Sequence, residues 1–465
     1  MLMRNTLYWY INSKSTAESN YISLETQILH ALFQKYPFIY TDSRIDGQQG
    51  IFFALQGQYY DGNQFAEEAL KTASYAVVDD PSVVKSKRYI LVPDSLKTLQ
   101  NLATLYRAHL KIPIIGITGS NGKTTTKELV AAVLSKEKNV FATTGNLNNQ
   151  IGVPLSILQI TQQHEMAVIE MGASKIDDIE FLCKIVKPDY GIITNIGRAH
   201  LSTFGSFENV IMAKSKLYRY LRETGGTAFI NNEDKILDDI VPPPKTISYG
   251  TSAFTHLQGF LADDNHLFVN FYWVSGSDVE ENNTLSWIEK NRLVKTKIVG
   301  KHNFTNLLAA ITVGKHFGID DMLIKNAIEE YAPKNSRSQY KKTPYNEIII
   351  DCYNANPVSM KAAITNFVEM PMSNKVLIIG DMLELGKDTI VEHELIISII
   401  KKYVFKDVFL IGKTFNALQN SDEKIKQYPT TNDFIAYLRE TPLKGNTILL
   451  KGSRGVELEN VIPFL

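Results

Sequence analysis

The stretch Gly116-Ile117-Thr118-Gly119-Ser120-Asn121-Gly122-Lys123-Thr124-Thr125 constrains this chain more than any other. Ile114 to Ile117, interrupted only by Gly116, reads as a buried strand. The glycines that follow permit a tight turn whose backbone N–H groups point inward onto an anion. Lys123 supplies a cation able to reach terminal phosphates, and Thr124 a hydroxyl suited to Mg²⁺. Ile117 stands where the strict phosphate-loop pattern has glycine, so this is a variant of that loop. A plain Gly-rich turn with a solvated lysine would not bring glycines, lysine and paired threonines together after an apolar strand. The expected ligand is a nucleoside triphosphate, and the expected fold class is α/β.

With 465 residues, the chain exceeds what one core serves, so two or three domains are expected. Its 49 basic and 49 acidic side chains balance, which removes any broad electrostatic reason to bind nucleic acid or an anionic membrane. Cys183 and Cys352 alone imply no disulfide framework. The segment Met1 to Asn12 lacks the continuous apolar core of a signal peptide, and no run approaches bilayer-spanning length. A soluble, cytoplasmic monomer without stable membrane insertion is the expectation.

Three regions follow one another. Residues 1–109 predict a small mixed domain, with a helix over Tyr21 to Gln34 and strands at Ile51 to Leu55, Tyr75 to Val78 and Tyr89 to Val92. Residues 110–314 carry the loop and further doubly apolar strands at Val140 to Ala142, Met166 to Ile169 and Gly191 to Thr194. Between about 245 and 300 the pattern changes, and His266 to Val274 predicts antiparallel strands appended to the main sheet. Residues 315–465 alternate again, with strands expected at Ile348 to Ile350, Val376 to Ile379, Val408 to Ile411 and Ile448 to Leu450.

Polar residues gather at the ends of these strands, where open parallel sheets place ligands. Glu170, followed by Met171-Gly172, suits an oxygen-liganded Mg²⁺, or equally a helix cap or a lysine partner. His200 follows the strand at 191–194, with structural and functional roles both open. Thr143 to Asn149, with Asn148 and Asn149, offers amides and hydroxyls for a polar substrate, or simply a turn. Lys214 lies in an expected helix, Asn209 to Leu221, where a surface lysine is the plain reading. Asp351-Cys352-Tyr353-Asn354-Ala355-Asn356-Pro357 ends another strand and opens a helix at Pro357, as a capped turn or as an acceptor site. Gly380 to Glu384 and Lys451-Gly452-Ser453-Arg454 follow two further strand candidates and are expected to face one crevice, and Arg337 and Arg454 suit phosphate or carboxylate.

Together these motifs resemble the Mur ligases of peptidoglycan synthesis over essentially the whole chain. The phosphate-loop segment Gly119 to Glu128 resembles the wider class, which includes folylpolyglutamate ligases. Asn146 to Leu155 and Tyr353 to Pro357 resemble the branch that adds D-alanyl-D-alanine. The resemblance implies a three-domain architecture, with a central P-loop ATPase-like domain and a Rossmann-like C-terminal domain. It also implies ATP-dependent joining of D-alanyl-D-alanine to UDP-N-acetylmuramoyl-tripeptide through an acyl phosphate.

The same resemblance implies site roles. Asp42, Ser43 and Arg44 lie at the uridine-nucleotide end, together with Phe52 to Gly57 and Asp61 to Phe65. Gly119 to Thr125, Asn303 and Arg337 contact ATP, while Thr124, Glu170, His200 and Lys214 surround Mg²⁺. Lys214 matches a lysine carbamylated by CO₂, and Asp351, Tyr353, Asn354, Asn356, Lys451 and Arg454 serve the acceptor side. Ser202 replaces a familiar glutamate after His200-Leu201, and Lys214-Ser215-Lys216 replaces Lys-Gly-Glu. A sister ligase adding one amino acid usually carries an Asp-Asn-Pro-Arg-like motif, against Asn354-Ala355-Asn356-Pro357-Val358 here. A non-catalytic nucleotide-regulated scaffold is the alternative of a different class.

Overall fold

The structure, a computed structural model, describes residues 24–197, 201–238, 240–262, 267–275, 293–419 and 422–465. Two compact units emerge. One comprises residues through Ile112 with Thr143–His164 and Phe181–Lys187, and the other Pro113–Ala142, Glu165–Glu180 and Pro188–Leu465.

The first unit is built on a parallel sheet in the order Ile39–Tyr40, Ile51–Phe53, Tyr75–Val78, Tyr89–Leu91. Tyr40, Phe52, Ala76 and Val78 form its core with Ala66 and Leu70. The expected N-terminal helix runs Leu24–Lys35, with Tyr21 to Ser23 outside the described residues. Asp94 caps the helix Ser95–His109 by accepting from Lys97 N–H. Two long-range anchors on that helix attach the later segments to this unit. Tyr106 Oη donates to Ile160 O at 2.5 Å, and buried Arg107 donates to Val186 O and Lys187 O at 2.7 and 2.8 Å.

The second unit holds two sheets. The larger is ordered Val294–Val299, Phe268–Ser275, Leu257–Leu261, Lys245–Gly250, Thr227–Asn231, Tyr190–Ile193, Ile114–Thr118, Met166–Glu170, Val140–Ala142. Ile114–Thr118 and Met166–Glu170 are buried along their whole length, the pattern of strands covered on both faces. Phe268–Ser275 pairs antiparallel with Leu257–Leu261 on one side and with Val294–Val299 on the other, as expected for the stretch around His266 to Val274. Lys245–Gly250 is parallel to both of its neighbours, so the change from parallel to antiparallel falls at Leu257–Leu261, which is parallel on one side and antiparallel on the other. The polar, exposed start of Lys245–Gly250 hides it from an apolar-run criterion. Ile114–Thr118 lies between Met166–Glu170 and Tyr190–Ile193, so the chain leaves it first to one side and later to the other. Such a reversal opens a crevice at the carboxyl end of the central strand.

The smaller sheet runs Gln339–Lys342, Glu347–Asp351, Thr447–Lys451, Lys375–Gly380, Asp407–Ile411, Ile425–Tyr428, antiparallel only at its first pair. Asp351 pairs in register with Lys451, and Lys451 with Ile379, so three strands end side by side. Polar Gln339–Lys342 and Ile425–Tyr428 are its edges, and neither carries the apolar signature that announced the inner strands.

Candidate active site

Gly119 has φ +148° and Gly122 φ +78°, and a Cβ would lie 1.9 Å from Thr194 Oγ1 at the first and 2.6 Å from Asn306 Oδ1 at the second. Only glycine tolerates both the backbone and the crowding. Gly122 starts the helix Lys123–Leu134, whose first intrahelical bond runs from Thr126 N–H to Gly122 O at 2.8 Å. The amides of Lys123, Thr124 and Thr125 precede that bond and form the helix's anion-attracting end. Ser120 and Asn121 are tied to the neighbouring strand end. Their N–H groups donate to Asn195 O and Oδ1 at 2.9 and 3.0 Å, so they brace the loop. Ser120 Oγ and Gly197 exchange a further pair of bonds, both at 2.9 Å.

Around this cradle stand three lysines and a carboxylate. Lys123 Nζ folds back to donate to Gly119 O at 2.8 Å and Ser120 O at 3.1 Å. Lys214, expected from local sequence as a surface lysine, is 2% exposed in the helix Phe207–Thr224 and donates to the same Gly119 O at 3.0 Å. Burial, reinforced by the Lys123 charge, holds the Lys214 amine well below its ordinary pKa. Glu170 is buried at the tip of its strand, accepts from Thr124 Oγ1 at 2.8 Å and lies 4.0 Å from Lys127 Nζ. Burial also lowers the Lys123 pKa, with Glu170 opposing and Arg337 adding to the shift.

The 351–357 segment meets the loop directly. Asn356 Nδ2 donates to Asn121 Oδ1 at 2.8 Å, while its Oδ1 accepts from Ser359 N–H to cap the helix Pro357–Glu369. Asp351 accepts from Lys451 Nζ at 2.7 Å, and Lys451 also reaches Asn354 O at 3.4 Å. Burial alone would raise the Asp351 pKa, but Lys451 and then His302 outweigh it and bring it below the usual value. Two guanidinium groups approach the Tyr353 ring, Arg337 at 3.5 Å and Arg454 at 5.4 Å from its centre. Ser336 and Ser338 flank Arg337 with φ of +57° and +47°, a left-handed arrangement costing roughly 1 kcal/mol or more per non-glycine residue.

A cavity of about 410 Å³ adjoins the loop, lined among others by Asn195, Asp234, Lys301, His302, Phe304 and Thr305. Asn303 lies at its edge in sequence but is 3% exposed. Its Nδ2 donates to Val299 O and Ser338 Oγ, and its Oδ1 accepts from Asn306. Asn306 in turn accepts from Thr126 Oγ1, so Asn303 joins the network behind the loop.

A family model for the Mur ligase middle domain matches residues 117–314, and one for the Mur ligase glutamate ligase domain matches 336–454. The chain belongs to the Mur ligase family. It is 36% identical over 437 residues to the UDP-N-acetylmuramoyl-tripeptide–D-alanyl-D-alanine ligase of Bacillus subtilis, covering 91% of this chain and 92% of the relative. The enzyme of the same name from Synechocystis is 31% identical over 437 residues, 92% of this chain and 91% of the relative. Among solved structures, MurF from Acinetobacter baumannii superposes with a TM-score of 0.79 at 27% identity, covering 91% and 92% of the two chains. The MurF ligase from Thermotoga maritima in complex with ADP gives 0.76 at 25% identity, covering 92% and 96%.

In this Mur ligase, the fold brings Gly119 to Thr125, Glu170, Lys214, Asn356 and the Arg337–Tyr353 pair to one place. His200 lies outside the described residues. Among the described residues, no group of three His, Cys, Asp or Glu side chains is arranged to hold a metal. Asp42, Ser43, Arg44, Asn148 and Asn149 belong to the first unit. There Arg44 donates to both Asp42 oxygens at 2.8 and 2.6 Å, drawing the Asp42 pKa down to about 2. Asn149 Oδ1 accepts from Ile151 and Gly152 N–H at 3.0 and 2.9 Å, which holds the turn into the helix Gly152–Leu158. Sequence reasoning missed Asn195, whose only signal was its place in the polar run after a strand, and the cavity beside it. Among the described residues, no helix is long and apolar enough to cross a membrane.

Proposed function

We infer that this Mur ligase joins D-alanyl-D-alanine to UDP-N-acetylmuramoyl-tripeptide with conversion of ATP to ADP and phosphate, in the cytoplasm. The observation that carries this reading is the Asn356–Asn121 bond, which ties the acceptor-side loop to the phosphate loop in relatives' company that bears this activity in its names. A carboxylate is a poor acyl donor because oxide cannot leave. Its oxygen therefore attacks the γ-phosphorus, the bond to ADP breaks, and an acyl phosphate forms. The dipeptide amine then adds to the carbonyl carbon, phosphate departs with the C–O electron pair, and the nitrogen gives up a proton.

The first-turn amides of Lys123, Thr124 and Thr125 hold phosphate oxygens, and Lys123, released from Gly119 O and Ser120 O, offsets charge on the transferring group. The adjoining cavity receives the nucleoside. Arg337, held over the Tyr353 ring, faces the nucleotide, and Arg454 the substrate anions. Asp351, kept ionised by Lys451, orients the incoming amine with Tyr353, Asn354 and Asn356 nearby. Asp42, Ser43, Arg44, Asn148 and Asn149 take the UDP-linked substrate.

The buried hydroxyl–carboxylate pair Thr124–Glu170, at the helix start, fits Mg²⁺, a hard cation that keeps waters and phosphate oxygens beside few protein ligands. Thr124, Glu170, His200 and a carbamylated Lys214 would hold it, and when bound it supplies charge neutralisation on the phosphates. Lys214 is suited to carbamylation because its burial beside the Lys123 charge lowers its pKa and so favours the uncharged amine that attacks CO₂. The product carries an oxygen anion where an ammonium would repel Lys123.

The test offers purified protein, ATP and the UDP-linked tripeptide with either D-alanyl-D-alanine or single amino acids, and weighs the product. A mass gain matching the dipeptide is expected. Use of a free amino acid with none of the dipeptide would overturn the reading. Labelled CO₂ should give a Lys214 carbamate signal absent from Lys214→Ala, whose activity short carboxylic acids should partly restore.

A further inference from the structure

We propose that Glu128 is a positioning residue whose two carboxylate oxygens clamp the 331–335 linker so that Arg337 stands at the phosphate loop. Glu128 is on the helix Lys123–Leu134, five residues beyond Lys123 and about 7.5 Å along its axis, and so is rigidly tied to the loop. One oxygen accepts from Tyr331 Oη at 2.6 Å and the other from Asn335 Nδ2 at 2.9 Å. These donors bracket the segment that leaves the helix Asp321–Glu330 and leads to the strand Gln339–Lys342. Arg337 follows Asn335 by two residues, between the left-handed Ser336 and Ser338. A backbone so disfavoured persists only where its surroundings fix it. Tyr353 N–H donates to Ser336 O at 3.3 Å, and Asn303 Nδ2 to Ser338 Oγ at 3.0 Å, which hold the far side. Glu128 holds the near side. The resulting guanidinium is close enough for its charge to be felt at both Lys123 and Lys127. Both Glu128 oxygens are engaged by Tyr331 and Asn335, so its effect on nucleotide handling passes through Arg337.

This rests on the reading of Arg337 as a nucleotide contact, and the experiment separates the two. ATP affinity by calorimetry, and kcat and KM for ATP, are measured for wild type, Glu128→Ala, Glu128→Gln, Arg337→Ala and the Glu128→Ala/Arg337→Ala pair. Glu128→Ala should weaken ATP binding and lower kcat/KM for ATP by about tenfold, a usual coupling for groups in one network. Glu128→Gln should recover most of that loss, since the amide can accept from Asn335 and donate to the Tyr331 oxygen. In the Arg337→Ala background the Glu128→Ala change should add less than about twofold. A full additional loss there, or a glutamine variant as impaired as alanine, would overturn the proposal, because general destabilisation or loss of a negative charge would then be the cause. Arg337→Ala with unchanged ATP affinity and kinetics would reject the nucleotide role of Arg337 and this proposal with it. Intact ATP coupling without dipeptide ligation would reject only the assigned acceptor.

Discussion

The phosphate loop and the segment from Tyr331 to Pro357 face each other, yet they are built in different ways. The loop is a backbone device: consecutive residues, two glycines at positive φ and a helix start make the cradle, and Lys123 is its one long cationic arm in the motif. The opposing segment is assembled from side chains. An ion pair joins two strand ends, an asparagine both caps a helix and reaches across, and one aromatic ring carries two arginines. The loop's chemistry is therefore separable from stability, whereas the opposing segment's is not.

The largest expected effect tests the first half of that contrast. Lys123→Ala should lower kcat by roughly 10³-fold, the scale of losing a charge that acts on the transition state, while the unfolding midpoint stays close to wild type. A stability loss matching the loss at Asp351 would break the contrast. Asp351→Ala should destabilise by about 3 kcal/mol in denaturant titration, because it strands the buried Lys451 charge. The pH dependence follows from the lowered Asp351 pKa. Its contribution is present above the unfolded carboxylate value and is lost as pH falls through the lower folded value, so wild type should shed this increment only in acid. Asp351→Ala should lack that step.

Smaller changes sharpen the comparison. Asn356→Ala removes a helix cap and the bond to Asn121, and should cost about 1–2 kcal/mol in unfolding free energy. It should also raise KM for the acceptor, measured by product mass. Tyr353→Leu should produce the mildest change, about 0.5–1 kcal/mol of lost cation–π attraction, visible as a severalfold rise in KM for ATP. A larger kcat effect than that of Lys123→Ala would move the chemistry to the opposing segment.

The sequence by itself determined the strand–loop–helix unit, the glycine positions and most inner strands, because each depends on neighbours a few residues away. Ile114–Thr118, Tyr75–Val78 and Thr447–Lys451 announce themselves by apolar runs, and Gly122-Lys123-Thr124 by the φ and charge that a phosphate requires. Burial periodicity could not expose Thr227–Asn231 or Lys245–Gly250, whose pairing is decided by the strands beside them. Lys214 is the clearest case on the other side. Nothing local distinguishes it from Lys216, which forms ion pairs with Asp177 and Glu180 at the surface. Packing alone carries Lys214 inward to a carbonyl 95 residues away. Asn356 reaches Asn121 across 235 residues, and Tyr331 reaches Glu128 across 203. Spacing along a chain fixes which face a side chain takes. Which partner waits on that face is set by sheet order and helix packing, and those only the tertiary structure decided.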